Sequence, residues 1–266
     1  MPTIPIGDIR LHVVDEGDGS PLLLVHGFPL DHTMWRAQIG HFSRNHRVLA
    51  PDLRGFGSSS VTDGIVGMER FADDLAALLD ELKVTEPVCF CGLSMGGYIA
   101  WPFFERHRDR LGSLILCDTR SAADAEETRT TRHGLAQKVL EDGPEFIART
   151  MPTKLFAAKT RDEFPQLVEE VQAVIRGTAP AGIAAAARGM AERVDSTNLL
   201  PAIDVPTLGL VGEEDTISTV EEMRSIAAAI PGSQFVVIPD AGHMAPLEAP
   251  AAVNSKLEAF LASIES

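Results

Sequence analysis

The chain has 266 residues, 45% of them hydrophobic and 23% charged, and no apolar run long enough to span a membrane. That make-up fits a globular protein with room for a large core and excludes disordered, fibrous and membrane-spanning classes. A net charge of −15 argues against a nucleic-acid partner, and the excess is greatest over residues 199–266, where Arg224 and Lys256 stand against ten acidic residues; it reads as a solvated surface.

In chain order, residues 3–16 predict two short strands with a turn at Gly7-Asp8. Leu22 to Val25 is a continuous apolar run, the pattern of a strand buried on both faces, and it ends in His26-Gly27-Phe28-Pro29. An amphipathic helix is expected over Met34 to Phe42, a strand over Arg47 to Ala50, and then the tight loop Pro51-Asp52-Leu53-Arg54-Gly55-Phe56-Gly57-Ser58. Phe71, Ala72, Leu75, Leu78, Leu79 and Leu82 recur at helical spacing between Glu69 and Lys83. Val88 to Cys91 predicts a strand, and a helix follows to about Arg106, with a kink expected at Pro102. Leu114 to Cys117 is the next strand. Residues 121–198 contain only helical segments broken by Gly and Pro, among them the run Ala184 to Ala187, which reads as a helix-packing surface. Alternation then resumes: strand Thr207 to Val211, helix Val220 to Ala229, strand Gln234 to Ile238 and helix Ala251 to Ala262. Buried strands alternating with helices imply a parallel sheet with right-handed crossovers. The N-terminus carries no basic stretch leading into an apolar one, so no signal peptide is expected. Cys89, Cys91 and Cys117 lie on predicted strands and read as buried, reduced and structural, which fits a cytoplasmic location.

Between the Val88 strand and the next helix stands Gly92-Leu93-Ser94-Met95-Gly96, a G-x-S-x-G turn. Strand, sharp turn, helix is the context in which a serine hydroxyl is lifted clear of a sheet edge, the flanking glycines allowing helix and strand to pass closely. A serine hydroxyl needs a base, and the base an orienting acid. His243, in a loop after the last predicted strand, is the candidate base, and Asp215, one loop earlier, the candidate acid. Both fall on the carboxyl edge of the sheet, where ligand and catalytic groups of open α/β sheets gather. Glu213 and Glu214 compete with Asp215, and Asp118, at the end of its strand, is a second candidate acid. The oxyanion of an acyl-transfer intermediate needs two aimed donors, for which the backbone N–H groups of Met95 and Phe28 are chosen. His26 is read as a loop brace, and Asp52 with Arg54 as a structural ion pair.

The segments HGFP, DLRGFGSS, GLSMGG, VGEED and GHMAPLEAP, in that order, resemble the α/β-hydrolase fold superfamily, and in detail small microbial carboxylesterases, 3-oxoadipate enol-lactonase-like proteins and cofactor-free haloperoxidase (perhydrolase) relatives. The resemblance implies a mostly parallel eight-stranded sheet flanked by helices, with a helical cap inserted after the sixth strand. Residues 1–120 and 199–266 would be the core and 121–198 the cap. It also implies a Ser94, Asp215, His243 triad with Phe28 and Met95 as oxyanion donors. Many relatives carry a Pro in the loop after the acid, where this chain reads Thr216-Ile217-Ser218-Thr219. The expected reaction is cleavage of a small-molecule ester through an acyl-enzyme. Lactonase, perhydrolase and carbon–carbon hydrolase chemistry remain alternatives on the same triad, and a ligand receptor on the same fold is the non-enzyme alternative. No cofactor, metal or membrane partner is expected. The pocket is expected to be lined by Phe28, Leu30, Met95 and Met244 from the core and by Phe146, Met151, Leu155, Phe156 and Met190 from the cap, which suits a small uncharged ester. An acidic lactone would want a cationic anchor, for which Arg129, Arg132, Arg149, Lys154 and Arg161 are the candidates.

Overall fold

The computed structural model describes residues 3–264. Its strands are β1 (Thr3–Ile6), β2 (Ile9–Glu16), β3 (Pro21–Val25), β4 (Arg47–Pro51), β5 (Val88–Leu93), β6 (Leu111–Cys117), β7 (Thr207–Gly212) and β8 (Gln234–Ile238). They form one sheet in the order β1-β2-β4-β3-β5-β6-β7-β8. β1 and β2 pair antiparallel, as do β2 and β4; every pairing from β4 through β8 is parallel. This is the α/β-hydrolase architecture the motifs imply.

The pattern of burial explains why the central strands read as unbroken apolar runs. Along β3, Leu22 and Leu24 enter the core on one face with Trp35, Phe42 and Phe260, whereas Leu23 and Val25 enter the other with Phe71, Phe90 and Phe103. Helices cover both faces, so a strand with period-2 geometry has no wet side to spend on polar residues. Cys89, Cys91 and Cys117 belong to the first face as buried free thiols.

The helix after β3 begins earlier and less regularly than its apolar spacing predicts. A 3₁₀ turn at His32–Trp35, capped by Asp31 Oδ1 on Thr33 N–H at 2.9 Å, precedes the α-helix Arg36–Phe42. The next helix runs Met68–Glu81 and stops before Leu82, because Lys83 turns into the left-handed region (φ 54°) to start the approach to β5. After β5 the helix Met95–Arg106 is buried from Met95 to Phe104 and carries Pro102 within it.

Between β6 and β7 the described residues form helices and no strand: Glu126–Asp142, Glu145–Thr150, Pro152–Leu155, Ala158–Glu163, Pro165–Gly177 and Pro180–Ala191. Three of them start on a proline, whose missing N–H costs nothing in a first turn. The Pro180–Ala191 helix is small-sided for a physical reason. A Cβ on Gly182 would run into the backbone of Gly55, and one on Gly189 into the Val66 carbonyl. Between them the Ala185 carbonyl accepts Val66 N–H at 3.1 Å. The alanine run is therefore a packing surface, pressed backbone to backbone onto the loop after β4.

Candidate active site

Ser94 terminates β5 and opens the helix Met95–Arg106 with φ 53° and ψ −109°, a conformation that L-residues adopt only under constraint. The constraint is visible in the neighbours. Ser94 N–H bonds the Cys117 carbonyl at 2.9 Å, and its own carbonyl accepts the Thr119 hydroxyl at 2.8 Å. A Cβ on Gly92 would strike the Gly96 backbone, and one on Gly96 the Val25 carbonyl, so both glycines are required by close approach. The side chain of Ser94 is left partly exposed at a helix N-terminus.

Gly27 lies against this turn, where a Cβ would sit 2.8 Å from Leu93 Cδ2 and 3.5 Å from Ser94 Cβ. The next peptide, that of Phe28, thus starts beside Ser94. Its ring packs edge-on to Phe56, and the Phe28–Pro29 bond is cis. His26 braces this loop: Leu53 N–H donates to its Nε2 at 2.9 Å, which leaves Nδ1 to donate to the Gly27 carbonyl at 3.0 Å. Burial lowers its pKa, consistent with a neutral ring.

His243 and Asp215 form a buried pair, 2% and 5% exposed, with Nδ1 2.8 Å from Oδ2. The other Asp215 oxygen accepts Ile217 N–H at 2.7 Å and Ser218 N–H at 3.1 Å. Burial would raise this carboxyl's pKa, but the His243 charge and hydrogen bond, with the two N–H donors, outweigh it and hold the pKa below its ordinary value. Glu213 and Glu214 face solvent, so of the three consecutive acids it is Asp215 that turns inward. Gly212 makes the turn possible, since a Cβ there would meet the backbone of Ala241 and Gly242. The Thr216–Thr219 segment supplies two of the donors that hold Asp215.

Asp118 lies within 4.8 Å of both, counted between one ligating atom of each residue. It is fully buried at φ 48°, with Oδ1 accepting Gly212 N–H at 2.8 Å and Oδ2 without a hydrogen-bond partner. Burial, and then the charge of Asp215, push its carboxyl well above the ordinary range. The two neighbouring carboxyls are thus pushed in opposite directions, Asp118 toward its neutral form and Asp215 toward its ionised one.

The pairing expected between Asp52 and Arg54 is corrected. Asp52 instead takes His32 Nδ1 at 2.6 Å and Ser58 N–H at 2.9 Å, while Arg54 grips Asp74 with two bonds of 2.7 Å. Gly57, in the left-handed region at φ 51°, lets the turn close onto the Asp52 carboxylate, where a Cβ would collide, and Ser58 N–H reaches it from there. His12, His32 and Asp52 also form a cluster of metal-binding residue types. The His32–Asp52 separation of 2.6 Å is a hydrogen bond, shorter than the roughly 3.3 Å between two ligands of a tetrahedral ion.

Of the expected pocket residues, Leu30, Met95, Leu155, Met190 and Met244 are buried, and Phe28, Phe146 and Met151 partly so. Leu30 borders a cavity of about 30 Å³ together with Met34, Val171, Val174 and Leu247. Met190 sits on the opposite core face with Met95 and Tyr98, and its sulfur contacts Arg132 at 3.4 Å. The Phe146 ring lies under the Lys138 ammonium at 4.7 Å. Leu155 reaches the site through its backbone, its carbonyl accepting Met244 N–H at 3.1 Å.

The candidate cationic anchors have partners of their own. Arg132 pairs with Asp124, Arg129 with Glu126 and Glu192, Arg149 with Glu145, and Arg161 with the Thr153 and Phe156 carbonyls, while Lys154 is exposed. One polar residue escaped the sequence reading. Glu248, within the GHMAPLEAP segment, accepts N–H groups on both sides of His243; an acid in an otherwise apolar run was the signal that marked it.

Sheet order, nucleophile-type elbow and helical segment together define a hydrolase fold. The chain belongs to the alpha/beta hydrolase fold family, whose model matches residues 20–250. It is 28% identical over 261 residues to 3-oxoadipate enol-lactonase 2 of Acinetobacter baylyi, covering 97% of this chain and 96% of that one. Among solved structures it resembles a thermophilic esterase from Thermogutta terrifontis with malate bound (47% identity, TM-score 0.98, 100% of both chains). It also resembles the enol-lactonase from Burkholderia xenovorans LB400 (28% identity, TM-score 0.92, 98% of this chain and 100% of that one). The hydrolase class follows from the family and these relatives. No helix among the described residues is long and apolar enough to cross a membrane.

Proposed function

We propose that the chain is a serine hydrolase that cleaves small, uncharged carboxylic esters through an acyl-enzyme on Ser94. The observation that carries the reading is the buried Asp215–His243 pair, on the same sheet edge as a strained, partly exposed serine at a helix N-terminus. His243 Nδ1–H is held by Asp215, which leaves Nε2 as the acceptor for the Ser94 proton. The serine oxygen adds to the ester carbonyl, and the oxyanion formed is met by the N–H groups of Met95 and Phe28. Collapse expels the alcohol with the proton from His243. Water, deprotonated by the same imidazole, then adds to the acyl-enzyme and releases the acid and free Ser94.

The helices of residues 121–198 act in this reading as a cap over the site, with Phe28, Leu30, Met95, Phe146, Met151, Leu155, Met190 and Met244 as the proposed apolar surroundings of the substrate. An uncharged substrate is supported by the cations of that segment, which are already engaged by acids or carbonyls or face solvent. The enol-lactonase relatives favour lactone hydrolysis as the second reading.

The deciding experiment is a panel of p-nitrophenyl esters of graded chain length beside neutral and acidic γ- and δ-lactones, with and without peroxide. Neutral short esters are expected to turn over fastest. Preference for a carboxylate-bearing lactone would overturn the uncharged-substrate reading. Stoichiometric labelling by an organophosphonate without turnover of any substrate would make the chain a receptor.

A further inference from the structure

Glu248 ends the short helix Ala245–Glu248, and its two carboxylate oxygens face in two directions. Oε1 accepts Gly242 N–H at 2.8 Å and Met244 N–H at 3.3 Å, the backbone donors on either side of His243. Oε2 accepts Ala157 N–H at 2.8 Å and the Thr160 hydroxyl at 2.6 Å, both from the helical segment between β6 and β7. The two structures are also in direct contact: a Cβ on Gly242 would lie 2.7 Å from Ala157 N. Burial raises the Glu248 carboxyl above its usual range, and its four donors work against that rise.

We propose that Glu248 is a positioning residue that ties the seating of residues 155–160 to the orientation of His243. The proposal rests on the serine-hydrolase reading of the site. One side chain holds the backbone flanking the base and the segment that covers it, so a displacement of either is felt by the other. A glutamine cannot replace it. Its amide has a single oxygen, and whichever side meets the NH₂ group leaves a backbone donor unsatisfied, Gly242 N–H on one side or Ala157 N–H on the other.

The test uses the full chain and three variants, Glu248→Gln, Thr160→Val and the double, with kcat and KM for p-nitrophenyl acetate expressed per serine titrated by an organophosphonate. Glu248→Gln is expected to lower kcat about 10- to 100-fold while KM stays within about threefold. Thr160→Val removes one arm of the link and is expected to lower kcat about threefold to tenfold, the worth of one hydrogen bond, with Thr160→Ser restoring it. The double variant should fall no further than Glu248→Gln alone, because both losses pass through one carboxylate. Unchanged kcat in Thr160→Val, or losses that multiply in the double, overturns the link. Should Glu248→Gln fail to fold, the Thr160 pair decides alone. A wild-type chain that is not labelled refutes the serine reading instead.

Discussion

Replacing Asp215 by asparagine exchanges one oxygen for an amide nitrogen, and the surrounding donors decide which one. Oδ1 accepts Ile217 and Ser218 N–H at 2.7 and 3.1 Å, so the amide oxygen must stay there. The opposite flip would set an NH₂ group against two N–H donors, each unsatisfied group costing about 1–3 kcal/mol. The NH₂ therefore faces His243 Nδ1, which lies 2.8 Å from Oδ2 in the native pair. Two donors cannot share that contact, so Nδ1 becomes the acceptor and the ring proton moves to Nε2, where it blocks uptake of the Ser94 proton. A base locked in the wrong tautomer costs about 10⁴ in kcat, or roughly 5.4 kcal/mol of transition-state stabilisation. Asp118→Asn is the matched control. Burial and the charge of Asp215 already favour the neutral form of Asp118, and an amide oxygen can keep its bond to Gly212 N–H. Its kcat should stay within about fivefold of wild type, the scale of a single hydrogen bond. Initial rates on p-nitrophenyl acetate at neutral pH measure both. An Asp215→Asn enzyme within tenfold of wild type, beside a crippled Asp118→Asn, would refute the reasoning and move the orienting role to Asp118.

Three further outcomes are expected. Ser94→Ala should abolish hydrolysis with little change in Tm, whereas Ser94→Gly, which relieves the backbone at φ 53°, should gain about 1 kcal/mol in denaturant melts; equal stability of the two would count against strain. Gly182→Ala drives a Cβ into Gly55 and should cost about 2–3 kcal/mol. Gly177→Ala, where a Cβ meets nothing within 4 Å, should be near neutral, and similar melts for the two would contradict the backbone contact. His32 has its pKa raised by its hydrogen bond to Asp52, so its contribution is complete below the unfolded-state value and fades as pH rises through the folded one. The stability difference between wild type and His32→Gln, from urea melts, should be larger at about pH 5.5 than at about pH 9, on either side of the ordinary histidine range. A constant or growing difference would show that the pair does not titrate as described.

The sheet was legible because its central strands are buried on both faces and leave nothing but apolar residues in sequence, as in Leu22 to Val25 and Val88 to Cys91. The elbow was legible because Gly92 and Gly96 answer to local close approach, which fixes residue type at fixed spacing. Partners remote in sequence left no such mark. Arg54 finds Asp74 rather than its neighbour Asp52, a choice made by how the loop after β4 meets the helix Met68–Glu81. Asp215 could not be separated from Glu213 and Glu214 by type, only by which of them turns inward. Phe146 reads as pocket or packing with equal ease, and its cover by Lys138, one helix away, is invisible in either residue alone. Glu248 shows the same limit: its four donors come from both ends of a contact that sequence spacing does not encode.

The backbone contact of the Pro180–Ala191 helix with Gly55 and Val66 bears on how this scaffold accepts redesign. A helix seated directly on the backbone of another segment has no side-chain layer there to trim or refill, so library diversity placed along Gly182, Ala185 and Gly189 would yield misfolded clones. The helices Glu145–Thr150 and Pro165–Gly177 pack through side chains such as Ile147, Val171 and Ile175, where volume can be traded residue for residue. Engineering toward bulkier substrates belongs in those two helices, with the glycine-faced helix left as the fixed hinge plate of the design.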